Sequence, residues 1–242
     1  MKICVAQTRP IKGDVRSNIE NHKKLINLAA SGGADTIIFP ELSLTGYEPE
    51  LAKALATNQD DSRFDDFQKI SDTGKITIGV GVPTKNNTGI CIGMVLFQPH
   101  KARQLYLKQY LHPDEEEFFV GGKNSPGLMD TKPKVALAIC YELSVTEHSE
   151  NAFKSGAEIY IASAVKSVNG IDKALGRLSE IGDKYSMTVL LSNCIGHSGG
   201  YDCAGKTSIW NNKGLLIGQL SDTSEGILIV DTDTGEILEK TL

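Results

Sequence analysis

Residues 135–143 read Val-Ala-Leu-Ala-Ile-Cys-Tyr-Glu-Leu, a short apolar run that ends at a cysteine and continues into polar residues. A continuous apolar run of this length is typical of a strand buried on both faces. If it is a strand, Cys140 lies at its carboxyl end, which is where open α/β sheets bind their ligands. Free cysteines are also among the most often buried residues, so a packing role for Cys140 is the alternative.

Two other predicted strands end in charged residues. Residues 36–39 are apolar and are followed by Pro40 and Glu41, and the strand-like residues 104–107 are followed by Lys108. A carboxylate can take the proton of a thiol, and an ammonium group can stabilise an oxyanion. The three strand ends together therefore indicate nucleophilic chemistry at Cys140.

Three segments resemble the motifs of the nitrilase (carbon–nitrogen hydrolase) superfamily, which is marked by a Glu-Lys-Cys triad in this chain order. They are FPELSLTGY around Glu41, YLKQYLHPDEEEFFVGG around Lys108 and ICYELSVTEH around Cys140, and the resemblance extends from Lys2 to about Val230. The alternation of helices and strands predicts only an α/β fold. The resemblance implies more, namely a four-layer α-β-β-α sandwich with two mixed sheets packed face to face and helices outside.

The resemblance also implies a role for each member of the triad. Cys140 would be the nucleophile, and Glu41 the general base that activates it. Lys108 would stabilise the oxyanion together with the backbone N–H of Tyr141.

Further site residues are expected around the triad by the same resemblance. A second glutamate near the lysine would come from residues 115–117, of which we choose Glu115, although Glu116 and Glu117 stay open. Tyr47 and Ser163 are candidate residues of the substrate pocket.

The chain departs from the family pattern after the cysteine, where it reads Tyr141-Glu142-Leu143-Ser144-Val145, and in residues 171–187. These departures leave the substrate class and the dimer contacts open. A Cys-His protease would need a partner for Cys140 among His112, His148 and His197, but no protease-type motif surrounds the cysteine.

The composition excludes several classes of protein. The chain has 242 residues with a formal charge of −5, and its basic residues are scattered, so we expect one domain (1–242) and no nucleic-acid partner. No apolar run has the length of a membrane span or signal peptide, which predicts a cytoplasmic protein without a membrane partner. The five cysteines form no CxxC pair, so we expect thiols and no metal site.

Hydrophobic periodicity and turn residues predict the order of the elements. Strands are expected at 2–8, 35–39, 76–82, 90–97, 135–139, 157–162 and 188–193, with a further strand that ends near Lys108, two around 211–214 and a last pair near 226–238. Helices are expected at 16–31, 145–155 and 171–187, with shorter helical pieces in 48–72. Residues 114–130 are predicted to form an active-site loop, and Cys203 to lie in a glycine-rich loop.

The sequence therefore predicts a thiol-dependent hydrolase of a non-peptide C–N bond, without a cofactor. Its substrate would be a small amide, an ω-amide or an N-carbamoyl compound, and the resemblance implies a homodimer. Two alternatives stay open: acyl transfer to an acceptor other than water by the same triad, and a non-catalytic binding protein that retains the fold.

Overall fold

The computed structural model of the chain describes residues 1–122 and 127–242. Their strands are β1 (Lys2–Gln7), β2 (Thr36–Ile38), β3 (Thr77–Asn86), β4 (Gly89–Phe97), β5 (Gln104–Leu107), β6 (Gly127–Met129), β7 (Val135–Ile139), β8 (Ile159–Ser163), β9 (Thr188–Ser192), β10 (Ile195–Ser198), β11 (Tyr201–Ala204), β12 (Ser208–Trp210), β13 (Leu216–Gln219), β14 (Gly226–Asp231) and β15 (Ile237–Thr241). Their α-helices are α1 (Val15–Ser31), α2 (Ala52–Leu55), α3 (Asp65–Gly74), α4 (Thr146–Lys154) and α5 (Ile171–Tyr185).

The strands of the described part of the chain form two large mixed sheets and a hairpin. The first sheet has the order β15-β14-β1-β2-β3-β4-β5, and its β1, β2 and β3 are parallel. The second has the order β13-β12-β9-β8-β7-β6, with β7, β8 and β9 parallel at its centre. Strands β10 and β11 pair with each other as a separate antiparallel hairpin.

Alternating side chains explain why the two sheets face each other. In β7, Val135, Leu137 and Ile139 enter the core between the sheets, whereas Ala136 and Ala138 lie against the helices. This is the two-residue period of a strand whose two faces are both covered.

The helices cover the outer face of each sheet. Helices α1 and α3 contribute to a core that also contains the outer side chains of the first sheet. Helices α4 and α5 pack on the outer face of the second sheet. These layers confirm the predicted α-β-β-α sandwich.

Two buried serines join the sheets by hydrogen bonds. The Ser163 hydroxyl at the end of β8 donates to the Phe39 carbonyl (2.8 Å). The Ser192 hydroxyl at the end of β9 lies 2.7 Å from the Ala6 carbonyl oxygen and 3.0 Å from that of Ile38. Each acceptor belongs to β1 or to the β2 region, so these bonds tie the centres of the two sheets together.

The predicted elements correspond to observed ones, with two differences. Strand β6 and the β10–β11 hairpin were not predicted, and the prediction of a loop at Cys203 is wrong because this residue lies in β11 and is buried. Residues 123–126 of the predicted loop 114–130 lie outside the described residues. No helix in the described ranges is long and apolar enough to cross a membrane.

Candidate active site

The three triad candidates lie at strand ends on the same side of the sandwich. Glu41 follows β2 and Lys108 follows β5, and two antiparallel steps from β3 through β4 leave β5 parallel to β2. Both residues therefore lie at the same end of the strands of the first sheet. Cys140 follows β7 of the second sheet, so the triad draws on both sheets.

Glu41 is fixed by a close approach of two backbones. A Cβ atom on Gly81 of β3 would lie 2.3 Å from the Leu42 nitrogen and 2.6 Å from the Pro40 oxygen, so only glycine fits there. The Leu44 N–H donates to the Gly81 carbonyl (3.0 Å). The result is a carboxylate that is 2 % exposed and held between the sheets.

Lys108 is fully buried and lies between two carboxylates. Its Nζ is 2.7 Å from Glu41 Oε1 and 2.6 Å from Glu115 Oε1. Burial by itself would lower the pKa of Lys108, but the charges of Glu41, Cys140 and Glu115 raise it above its usual value. Lys108 is therefore an ammonium, and two of its three N–H donors are occupied by the carboxylates.

Glu115 is the glutamate of the run 115–117 that reaches this lysine. It ends a short 3₁₀ turn (Pro113–Glu115), and its Oε2 accepts the backbone N–H of His112 (2.8 Å). The Tyr47 hydroxyl donates to its Oε1 (2.9 Å), whereas Glu116 and Glu117 are exposed. The structure thus places Glu115 and Tyr47 beside the lysine.

Cys140 occupies a strained backbone position. Its φ of 45° lies in the left-handed region, which is uncommon for a residue other than glycine, at the junction of β7 with a 3₁₀ turn (Cys140–Ser144). The side chain is partly exposed, and its Sγ lies 3.7 Å from the Val165 carbonyl oxygen. The strained turn presents the thiol at the cavity.

The surroundings of the thiol favour its protonated form. Burial and the Glu41 carboxylate raise the pKa of Cys140, while Lys166 and Lys108 oppose that rise. Burial also raises the pKa of Glu41, although the charge of Lys108 and the nearby Cys140 thiol lower it in part. A neutral thiol therefore lies beside a carboxylate that is more basic than usual.

A cavity of about 670 Å³ opens above Cys140. It is lined by Tyr47, His112, Asp114, Glu115, Cys140, Tyr141, Ser144, Val165, Lys166, Ser167, Gly170, Asp172, Lys173, Ala174, Gly176, Arg177, Glu180 and Tyr201. Tyr141, the predicted oxyanion residue, is among them, with its ring edge-on to His112 at 5.2 Å. Ser163 is not, because its hydroxyl is used between the sheets, so the expectation that it lines the pocket is corrected.

Sequence reasoning missed two residues that the structure brings to the site. Glu142 was read only as a departure from the family pattern, yet its carboxylate accepts the N–H groups of Ile139 and Gln109, each at 2.7 Å. These donors are the chain neighbours of Cys140 and Lys108, so one buried side chain positions both. Its position two residues after Cys140, within the same motif, was the available signal.

Lys166 was missed because it lies in a loop beyond β8 with no motif of its own. Its backbone N–H donates to Asn193 Oδ1 (2.8 Å), and its carbonyl accepts the Ala204 N–H (2.9 Å).

Comparison with known proteins identifies the family of the chain. Residues 2–239 match the profile of the family described as carbon–nitrogen hydrolase. The "Hydrolase in agr operon" of Staphylococcus aureus is 26 % identical over 246 residues, covering 98 % of this chain and 93 % of that protein. A nitrilase of Pyrococcus abyssi is 23 % identical over 241 residues, covering 96 % and 90 %.

A solved structure shows the same fold. A double mutant of the amidase of Nesterenkonia sp. AN1, in a complex with acrylamide, superposes with a TM-score of 0.87 at 22 % identity, covering 96 % of this chain and 90 % of that one. The family match over nearly the whole chain confirms the resemblance of the three motifs. This chain belongs to the carbon–nitrogen hydrolase family of the nitrilase superfamily.

Proposed function

We propose that this chain hydrolyses a non-peptide C–N bond of a small amide, an ω-amide or an N-carbamoyl compound through a thioester on Cys140. The observation that carries the proposal is Glu41 Oε2, a buried carboxylate oxygen without a hydrogen-bond partner among the described residues. A buried acceptor left unsatisfied costs free energy, so it is expected to have a function. The neutral Cys140 thiol beside it supplies the proton that this oxygen can accept.

The first half of the reaction forms the acyl-enzyme. Glu41 Oε2 takes the proton from Cys140 Sγ while the sulfur attacks the carbonyl carbon of the substrate. The resulting oxyanion is stabilised by the third N–H of the Lys108 ammonium and by the backbone N–H of Tyr141. Glu41 then gives its proton to the leaving nitrogen, the C–N bond breaks, and ammonia or an amine departs.

The second half releases the acid. Glu41, again a carboxylate, takes a proton from a water molecule that attacks the thioester carbonyl. The C–S bond then breaks, and the proton returns to sulfur, which restores the Cys140 thiol. Glu115 and Tyr47 keep the lysine in place through both halves by the hydrogen bonds described above.

The test is ammonia release from a panel of ω-amides, simple aliphatic amides and N-carbamoyl amino acids. We expect the wild type to release ammonia from part of the panel, and the Cys140→Ala variant from none. Cys91→Ala serves as the matched control because Cys91 is a buried thiol of β4, away from the cavity. Ammonia release that survives in Cys140→Ala would contradict the proposal.

A second measurement concerns the intermediate. With an active amide and the wild-type protein, acid quenching during turnover followed by mass spectrometry should find the acyl group on the Cys140 peptide. An acyl group on another residue would reject the thioester route.

A further inference from the structure

The carboxylates that line the cavity already have cationic or imidazole partners. In the described residues these pairs are Glu115 with Lys108 (2.6 Å), Glu180 with Arg177 (3.3 Å), Asp172 with Lys206 (3.5 Å) and Asp114 with His112. Each acidic group of the wall therefore has a partner within the chain.

Lys166 differs from these groups. It lines the cavity beside Cys140, and no carboxylate of residues 1–122 or 127–242 lies within 4 Å of its ammonium group. Its side chain is partly buried, in contrast to Lys173, the other unpaired lysine of the wall, which is exposed. The cavity thus presents one partly buried cation without a counter-ion close to the nucleophile.

The backbone of Lys166 is held rigidly. Asn193, fully buried after β9, accepts its N–H at 2.8 Å and approaches its carbonyl with Nδ2 at 3.4 Å. The Ala204 N–H of β11 donates to the same carbonyl (2.9 Å). This support fixes the backbone position from which the Lys166 side chain reaches the cavity wall.

The Lys166 ammonium is near enough to Cys140 to affect the pKa of its thiol. Among the charges that lower the pKa of the Cys140 thiol, Lys166 has the largest effect, ahead of Lys108. Lys166 and Cys140 line the same cavity, so a substrate bound with its carbonyl at Cys140 would share that space with the ammonium group and displace water from it. A neutral alkyl group would leave the cation desolvated and unpaired, which is unfavourable, whereas an anionic group would compensate it.

We propose that Lys166 binds a carboxylate of the substrate, so that the cavity selects small amides that carry a negative charge close to the scissile carbonyl. This inference rests on the proposed function and names its substrate class. The carboxylate can belong to the acyl part, as in a dicarboxylic acid monoamide, or to the amine side of an N-carbamoyl amino acid.

The test compares charged and neutral substrates of similar size in two pairs. Succinamate and 4-oxopentanamide differ in a carboxylate on the acyl side, and N-carbamoylglycine and propylurea differ in one on the amine side. We expect the wild type to prefer the charged member of at least one pair. Lys166→Met should lower kcat/KM for that member by about 30-fold or more, mainly through KM, and for its neutral partner by less than about 3-fold.

The control is Lys213→Met, which removes an exposed lysine of the turn between β12 and β13 and should leave both values unchanged. An equal loss for charged and neutral substrates in Lys166→Met would overturn the inference, because the lysine would then act only on the thiol. A wild type that hydrolyses the neutral amides as well as the charged ones would overturn it too and leave the proposed function intact. Absence of ammonia release from the whole amide panel would instead refute the proposed function, and this inference with it.

Discussion

Replacing Glu142 with glutamine should destabilise the junction between the Lys108 and Cys140 segments. The carboxylate is fully buried and accepts three hydrogen bonds of 2.7 Å, from the Ile139 N–H, the Gln109 N–H and the Tyr106 hydroxyl. Burial raises the pKa of Glu142, while these donors oppose that rise. The three donors identify the carboxylate as the form that the fold uses.

The magnitude follows from the number of acceptors. Glutamine has one carbonyl oxygen, so its NH₂ group must face either the Ile139 N–H or the Gln109 N–H, whichever way the amide is turned. One buried backbone N–H then loses its acceptor, at about 1–3 kcal/mol, and the loss of charge weakens the other bonds by about 1 kcal/mol. We expect the free energy of unfolding to fall by about 2–4 kcal/mol.

The assay is reversible urea denaturation together with steady-state kinetics. Because the freed N–H belongs to a neighbour of Lys108 or Cys140, kcat should fall more than KM rises. Glu117→Gln, an exposed glutamate in the same part of the chain, is the matched control. A Glu142→Gln variant as stable and as active as the wild type would refute the reasoning, since the carboxyl group would then be neutral or dispensable.

Three further predictions concern stability and pH. Gly81→Ala should lower the free energy of unfolding by about 1–3 kcal/mol and slow catalysis, because its Cβ would displace the Glu41 backbone. The control Gly176→Ala, which has open space around it, should not destabilise the protein. Equal urea midpoints for the two variants would contradict this prediction. In the pH profile of kcat/KM, the apparent pKa of the acid limb should lie above the ordinary glutamate pKa of 4.5, because burial raises the pKa of the base Glu41. An apparent pKa at or below 4.5 would contradict that role. Burial lowers the pKa of His22 to about 3, so the unfolded chain binds a proton that the folded chain does not. This residue alone should make the free energy of unfolding fall by about 1.4 kcal/mol per pH unit as the pH drops below about 6.5, and the slope in His22→Gln should be smaller than in the wild type by that amount.

The fold was predictable because strand periodicity and motif order are local properties. The run at 135–139 has an apolar residue at every position, and this is what a strand covered on both faces requires. The β10–β11 hairpin was missed because Gly196, Gly199 and Gly200 interrupt its pattern, and each has a positive φ that gives no periodic signal. Cys203 was misplaced for the same reason.

The candidate site was predictable only where a residue lies within a few positions of the end of a strand. Glu41, Lys108 and Cys140 do so, and Glu115 could be chosen from its run but not distinguished from its neighbours by sequence alone. Lys166 has no such signal, because its proximity to Cys140 results from the packing of β7 beside β8 and from Asn193, which comes 27 residues later in the chain. The homodimer remains a prediction.

The base and the nucleophile belong to different sheets, so the distance between them is a property of the whole sandwich. Sliding one sheet over the other by a fraction of an ångström would leave every strand paired and still separate Glu41 from Cys140. The serine contacts at Ser163 and Ser192 resist this motion at the sheet centres. Removing both hydroxyl groups should therefore reduce the rate of catalysis at temperatures where the protein is still fully folded. The core between the sheets thus sets the distance between Glu41 and Cys140.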